Sequence, residues 1–324
     1  MPHAIPSWRA DLERDGFVVI PNVVSPAKAA EYAEKGLKWL ESFNLGFKRD
    51  DPSTWRQQHL PDKNQGGLVA TRAVAHEDWV WEARQEPGIL DKFEQLWGTD
   101  KLLVSFDAVN LSLPVGPHAR ADLEPTPPWP HIDQEPYPKD RPSLQLELVQ
   151  GFLQCTPCGP EDGGLIVVKG SHEKMARMLG EEGGLYKSEM DMGERNFYSF
   201  TASDVKAFEA QGCEVIKVCA PAGSLVLWES RLIHYNCPPT ANQWRHVIYT
   251  CYAPKSWATE DAIKRKKEAF AEWKRTSHWP HQTVVLDRDG RLPNGSRDPF
   301  YRAEPINKPV LTEKLLQLAG VKEY

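Results

Sequence analysis

The chain has 324 residues, 40% hydrophobic and 26% charged, with a formal net charge of -6. That balance supplies a sizeable core for a globular protein and no basic stripe, which argues against nucleic acid or an anionic membrane as the main partner. No apolar run is long enough to span a bilayer, Met1 to Asp15 lacks a signal-peptide core, and six scattered cysteines read as reduced, mostly buried thiols, so a cytoplasmic protein is expected.

In chain order, Asp11 to Gly16 reads as the end of a short helix and Phe17 to Ile20 as an apolar strand. Ser25-Pro26 has the form of an N-cap with proline at the first helical position, opening a helix that carries Tyr32, Trp39, Leu40 and Phe43 at helical spacing. A second helix is predicted from Gly88 to Trp97. The middle changes character. Lys101 to Leu113, Leu144 to Cys155, Leu165 to Lys169, Glu214 to Val218, Ser224 to Trp228 and Trp244 to Tyr252 are short, rich in β-branched and aromatic residues, and bounded by Pro and Gly. Strands without alternating helices predict a sandwich or closed barrel. A long mixed stretch, Ser171 to Gly212, holds a helix from Ser203 to Gln211, and 173–211 is expected to form a lid insertion. Helices are also expected from Ala258 to Lys274, opening a C-terminal extension from 258, and from Thr312 to Leu318. With no repeat and no clean linker, 1–324 reads as one domain.

The chemistry concentrates in His131-Ile132-Asp133, then His234, then Arg245. A strand puts residues i and i+2 on one face, so His131 and Asp133 can point together into a barrel. A third ligand from a distant strand completes one face of an octahedron, the two-His, one-carboxylate set of non-haem Fe(II) oxygenases. Its open positions would accept a chelating 2-oxo acid and O2. The triplet alone is weak, since this composition yields about 0.6 His-x-Asp by chance. Indeed His76-Glu77-Asp78 is a second copy. It lies in a charged, Trp-containing stretch before most of the strands and reads as a surface coincidence.

Arg245 stands eleven residues after His234, across a loop rich in Asn and Pro. A guanidinium there could grip the far carboxylate of a 2-oxo diacid in two-pronged geometry that Lys cannot match. Asn110 and Trp228 lie on strands that could face the metal, and Trp129 and Gln134 flank its ligands, so all four are candidate pocket residues.

In these features the sequence resembles the phytanoyl-CoA dioxygenase-like family of Fe(II)/2-oxoglutarate oxygenases, from Leu12 to Pro254. Asp15-Gly16-Phe17-Val18-Val19-Ile20 is similar to the family's opening strand, His131-x-Asp133 to its proximal ligands, Gly163-Gly164-Leu165 and Gly170-Ser171-His172 to its middle motifs, and His234 with Arg245 to its distal ligand and cosubstrate arginine. Lys169-Gly170 replaces a common Pro-Gly, Gln150 stands where many members have Trp, and Ser224 where Asp is frequent. The resemblance implies a mainly β, double-stranded β-helix (jelly-roll, cupin-like) core with flanking helices, Fe(II) as cofactor, and 2-oxoglutarate and O2 as cosubstrates. Arg245, Gln150 and Asn110 would contact 2-oxoglutarate, with Trp129, Gln134 and Trp228 toward the substrate. It also implies oxidation of a small molecule, hydroxylation by default, with succinate and CO2 as coproducts. The retained Asp133 disfavours halogenation.

The twelve Trp favour a medium-sized, largely apolar substrate, such as a secondary metabolite. A homodimer is left open. His172 reads as a turn cap, Cys155 and Cys158 as buried thiols, and His118, His278 and His281 as surface residues. Two other readings compete: a cupin-like metal protein acting without 2-oxoglutarate, and a catalytically silent jelly-roll binding protein.

Overall fold

Strand β10 (Leu225–Glu229) is apolar on both faces, with no polar alternation, and the reason is its place in the middle of three layers. Leu225 and Leu227 pack outward against a helical layer, whereas Val226 and Trp228 pack inward against a second sheet. The structure is a computed structural model that describes residues 6–61, 66–71, 73–114, 122, 127–134, 148–179, 185, 197–240, 242–287, 290–292 and 294–324.

The larger sheet joins β1 (Phe17–Ile20), β2 (Leu68–Val69), β4 (Val109–Ser112), β6 (Val149–Gln154), β10 and β12 (Arg245–Tyr249) in the order β1-β10-β6-β12-β4-β2. The smaller runs β8-β5-β11-β7-β9, from β5 (His131–Ile132), β7 (Gly164–Lys169), β8 (Tyr198–Ser199), β9 (Glu214–Lys217) and β11 (His234–Cys237). All pairings are antiparallel. A separate pair, β3 (Leu102–Val104) with β13 (Tyr252–Pro254), forms where two predicted long strands each break. Phe152, Val226, Trp228 and Val247 of one sheet meet Leu165 and Val167 of the other, which makes the jelly-roll core expected from the sequence.

Helix α1 (Ser7–Asp15) precedes β1, and α2 (Pro26–Glu41) is capped by Ser25, whose hydroxyl accepts from the Lys28 amide at 3.2 Å. It buries Ala29, Tyr32, Gly36, Trp39 and Leu40 against the large sheet. A β-carbon on Gly36 would stand 2.3 Å from the His246 ring, so only glycine lets helix and strand approach this closely. Helices α3 (Asp78–Arg84), which the sequence reading missed, and α4 (Pro87–Trp97) extend this layer, and α8 (Glu313–Leu318) joins it from the C-terminus. The small sheet is covered by α5 (Ser171–Leu179) and α6 (Ala202–Ala210), the latter begun by a Thr201/Asp204 capping box. Part of the expected lid is therefore core-packed helix, and its return is β8, hydrogen-bonded to β5. Residues 180–184 and 186–196 of that expectation lie outside the described residues.

Helix α7 (Glu260–Ala271) carries a fully buried Lys266, whose ammonium donates to the Val104 carbonyl at 2.5 Å and lies over the Phe106 ring. Burial, reinforced by the Arg84 charge, pushes its pKa from 10.5 down to about 7. Between those values the unfolded chain holds a proton that the folded chain does not, so stability rises with pH across the window. Lys266→Met is expected to stabilise the protein near neutral pH by about 1–4 kcal/mol and to flatten that rise. Thermal melts of both proteins from pH 7 to 10 check it. A variant melting lower than wild type at pH 7 would show that the carbonyl bond outweighs the buried charge.

Candidate metal centre

His131 on β5 and His234 on β11 are direct cross-strand partners, with ring centroids 4.4 Å apart. Asp133 follows β5 immediately, its amide donating to the Ser230 carbonyl at 2.9 Å. The three side chains bring their ligand atoms within 4.8 Å of one another, and no other His, Cys, Asp or Glu trio does so among the described residues. The Asp133 carboxylate lies 3.1 Å from His234 Nε2 and 3.6 Å from His131 Nε2. Ligands at right angles on bonds of about 2.1 Å stand about 3 Å apart, so this spacing suits one face of an octahedron.

The imidazoles are held for ligation. His131 Nδ1 is 2.6 Å from the Trp129 carbonyl and His234 Nδ1 is 2.8 Å from the Leu232 carbonyl. A carbonyl only accepts, so each Nδ1 carries a proton, and each ring, once neutral, presents its Nε2 lone pair to the centre. Burial, then the nearby His131 charge, lowers the His234 pKa and favours the neutral ring that a metal needs. Burial alone would raise the Asp133 carboxyl. With no metal bound, interaction with His278 and with a protonated His131, and hydrogen bonds that His131 and His234 make when their Nε2 atoms carry protons, outweigh it and hold Asp133 well below the usual carboxylate range.

The turn between β10 and β11 organises these ligands, giving the Ser230 carbonyl to Asp133 and the Leu232 carbonyl to His234. A buried ion pair of Arg231 with Glu229 fixes it. Ser171 adds its hydroxyl as acceptor for the Ile233 amide at 2.9 Å, and His172 reaches the Glu13 carbonyl at the end of α1. The Gly170-Ser171-His172 motif thus ties the N-terminal helix to the residue before His234.

Arg245 opens β12 opposite Ser112 and is only 2% exposed. Its Nε and Nη2 have no hydrogen-bond partner among the described residues, and its guanidinium sits 5.6 Å from the Phe152 ring. From there Phe152 contacts Trp228 (5.6 Å), which contacts His234 (5.4 Å), so Arg245 and the ligands share the space between the sheets. A desolvated guanidinium with unused donors is costly unless an anion completes it. Asn110 is buried two positions along the same face, bonded to Ser112 and to the Gly66 carbonyl.

Gln150, assigned from the sequence to 2-oxoglutarate, donates its amide to the Asp133 carboxylate at 2.9 Å. Gln134 is buried next to Asp133, and Trp129 stacks on the His131 ring at 3.9 Å. His278 corrects the sequence reading: it is half-buried, with Nε2 3.3 Å from the Asp133 carbonyl. His281 is likewise half-buried, between Trp257 and Trp279. Residues anchoring this segment, such as Trp279 against Leu148 and Cys251, are far apart in sequence and leave no local signature. His76 is not at the surface either. It is fully buried and bonded to the Lys274 carbonyl, while Glu77 accepts from Trp39, Ile306 and Asn307, so this second triplet pins the C-terminal tail to the helical layer. His118 lies outside the described residues. All six cysteines are free, and Cys155 and Cys158 are buried.

Gln150→Leu removes a donor that orients Asp133 and is expected to weaken divalent-metal binding by about 10–100-fold with the fold retained. Titration of metal-free protein with Mn(II), read by electron paramagnetic resonance, measures this. Unchanged affinity would leave Gln150 free for the cosubstrate role.

A family model described as phytanoyl-CoA dioxygenase matches residues 12–247. Ava biosynthesis cluster protein O of Aspergillus versicolor is 41% identical over 279 residues, covering 86% of this chain and 87% of that protein. Among solved structures, the epimerase SnoN in complex with Fe3+, alpha ketoglutarate and nogalamycin RO aligns with a TM-score of 0.53 at 16% identity, over 97% of this chain and 98% of its own. The GlcNAc Inducible Gene 2 protein of Candida albicans aligns with a TM-score of 0.65 at 14% identity, over 100% of this chain and 78% of its own. At such identities these structures speak to the fold, and the fold agrees.

Proposed function

This chain belongs to the phytanoyl-CoA dioxygenase family, and from that premise we propose that it is an Fe(II)- and 2-oxoglutarate-dependent oxygenase that hydroxylates a medium-sized, largely apolar small molecule. The observation that carries the reading is Arg245, a buried guanidinium with unused donors in the same inter-sheet space as the His131, Asp133 and His234 trio. A metal centre alone would give that arginine no work; a chelating diacid does.

His131, Asp133 and His234 would hold the iron from one side and leave its remaining positions open. When bound, iron with 2-oxoglutarate and O2 supplies the oxidising power, and succinate and CO2 are the coproducts. Arg245 binds the far carboxylate through paired N–H donors. Phe152 and Trp228, packed between Arg245 and His234, keep water from the cosubstrate. Gln150 and His278 steady Asp133 from its carboxylate and its carbonyl. The protein's own task is to aim one C–H bond at the metal and exclude side reactions.

A secondary metabolite as substrate is supported by the 41% identity to a protein named for a biosynthesis cluster. No helix among the described residues is long and apolar enough to cross a membrane. All six thiols are free, which supports action in a reducing compartment such as the cytoplasm. The test is Fe(II)-dependent conversion of 2-oxoglutarate to succinate by purified protein, with a slow background rate expected before the substrate is known. Absence of succinate in wild type under Fe(II), O2 and reductant would count against the reading.

A further inference from the structure

Single exposed aromatic rings are ordinary, but exposed rings that meet one another beside a candidate site point to a use. Among the exposed large apolar residues described here the aromatic ones are Trp129, Phe197 and Trp257, and two of these meet at the metal centre. Trp129 is 46% exposed yet rigidly placed. One face stacks on the His131 ring at 3.9 Å and 14°, and its indole N–H donates to the Ser199 hydroxyl at 2.6 Å. Phe197, 37% exposed, meets it edge to face at 5.0 Å.

Both rings are set by the small sheet. Ser199 on β8 pairs directly with His131 on β5, and the Phe200 amide donates to the Pro130 carbonyl at 2.8 Å. The strand that orders a metal ligand therefore also holds an aromatic corner beside it. A purely structural tryptophan would bury its ring. This one spends its N–H on fixing its orientation and leaves nearly half its surface to solvent, one ring away from the metal position.

We propose that Trp129 and Phe197 form the substrate platform, and that the substrate carries a planar aromatic ring that stacks in this corner. The proposal rests on the metal-centre reading above and narrows its substrate class from an apolar molecule to an aromatic one. Preorganised rings lose little freedom on binding, and an edge-to-face corner discriminates flat rings from saturated ones of equal size.

The probes are 5-fluoroindole and, as the saturated control, fluorocyclohexane. Fluorine NMR relaxation of each is measured with Mn(II)-loaded protein and 2-oxoglutarate, against Zn(II)-loaded protein. Mn(II) broadens only what binds near the metal. Strong broadening of 5-fluoroindole, little of fluorocyclohexane, and about 2–10-fold weaker 5-fluoroindole binding in both Trp129→Ala and Phe197→Ala are expected from the usual worth of an aromatic pair. Phe197→Ala leaves the stack on His131 intact, so it guards against a general loss of the centre. Displacement of the probe by coenzyme A would assign the ring to an adenine; no displacement would assign it to the body of a free metabolite. Equal broadening of both probes, or 5-fluoroindole binding unchanged in both variants, would overturn the platform while leaving the metal centre standing. Failure of wild type to bind Mn(II), seen independently by electron paramagnetic resonance, would overturn the centre itself.

Discussion

Asp133→Ala is expected to abolish turnover and to weaken divalent-metal binding by well over 100-fold, while the protein still folds. The carboxylate is the one negative ligand of the trio, and losing even a group that merely orients a ligand costs about 10–100-fold in metal affinity. Folding should survive because Asp133 belongs to none of the apolar clusters and its removal opens no large core cavity. Its backbone amide still reaches Ser230. His131→Ala should behave alike, with the added loss of the Trp129 stack. Circular dichroism melts and metal titration of the two variants check both halves. A collapse of the fold would show that these residues are structural first.

Arg245→Met should separate stability from function in opposite directions. Met keeps much of the volume beside Phe152 and removes a buried charge with unused donors, so the metal-free protein is expected to gain about 1–4 kcal/mol. The same change deletes the anion grip. Truncating one side of a buried hydrogen-bonded charge pair costs about 2–5 kcal/mol, so 2-oxoglutarate affinity should fall by at least about 30-fold. Arg245→Lys should recover only part of it, because an ammonium cannot make the paired contact. Melts with and without 2-oxoglutarate suffice: wild type should be stabilised by the ligand and Arg245→Met should not. A variant less stable than wild type without ligand would mean that Arg245 serves the fold.

Most of the large sheet's strands and the His131-x-Asp133 pair were legible because both are local patterns. Short β-rich runs between turn residues mark the sheets, and His131-x-Asp133 keeps its spacing whatever surrounds it. Arg245 was legible through its distance from His234, which two consecutive strands, one in each of the two facing sheets, fix. What escaped was set by contacts across the chain. His278 meets Asp133 over a separation of 145 residues, and nothing in its own segment announces that. Gln150 reads as a cosubstrate contact from its place in the family resemblance, which carries no sign of the hydrogen bond it donates to Asp133. Helix α5 starts directly after β7, so its motif residues read as a turn, and the charged run around His76 hid a buried anchor for the C-terminal tail.

The most direct test is an anaerobic titration of purified protein with Fe(II) and then 2-oxoglutarate, following visible absorbance. A new absorbance band should grow in wild type only after both are added, saturating with one 2-oxoglutarate per iron, and should need far more cosubstrate in Arg245→Met. Iron binding with no absorbance change on adding 2-oxoglutarate would contradict the account and favour a cupin-like metal protein that works without it.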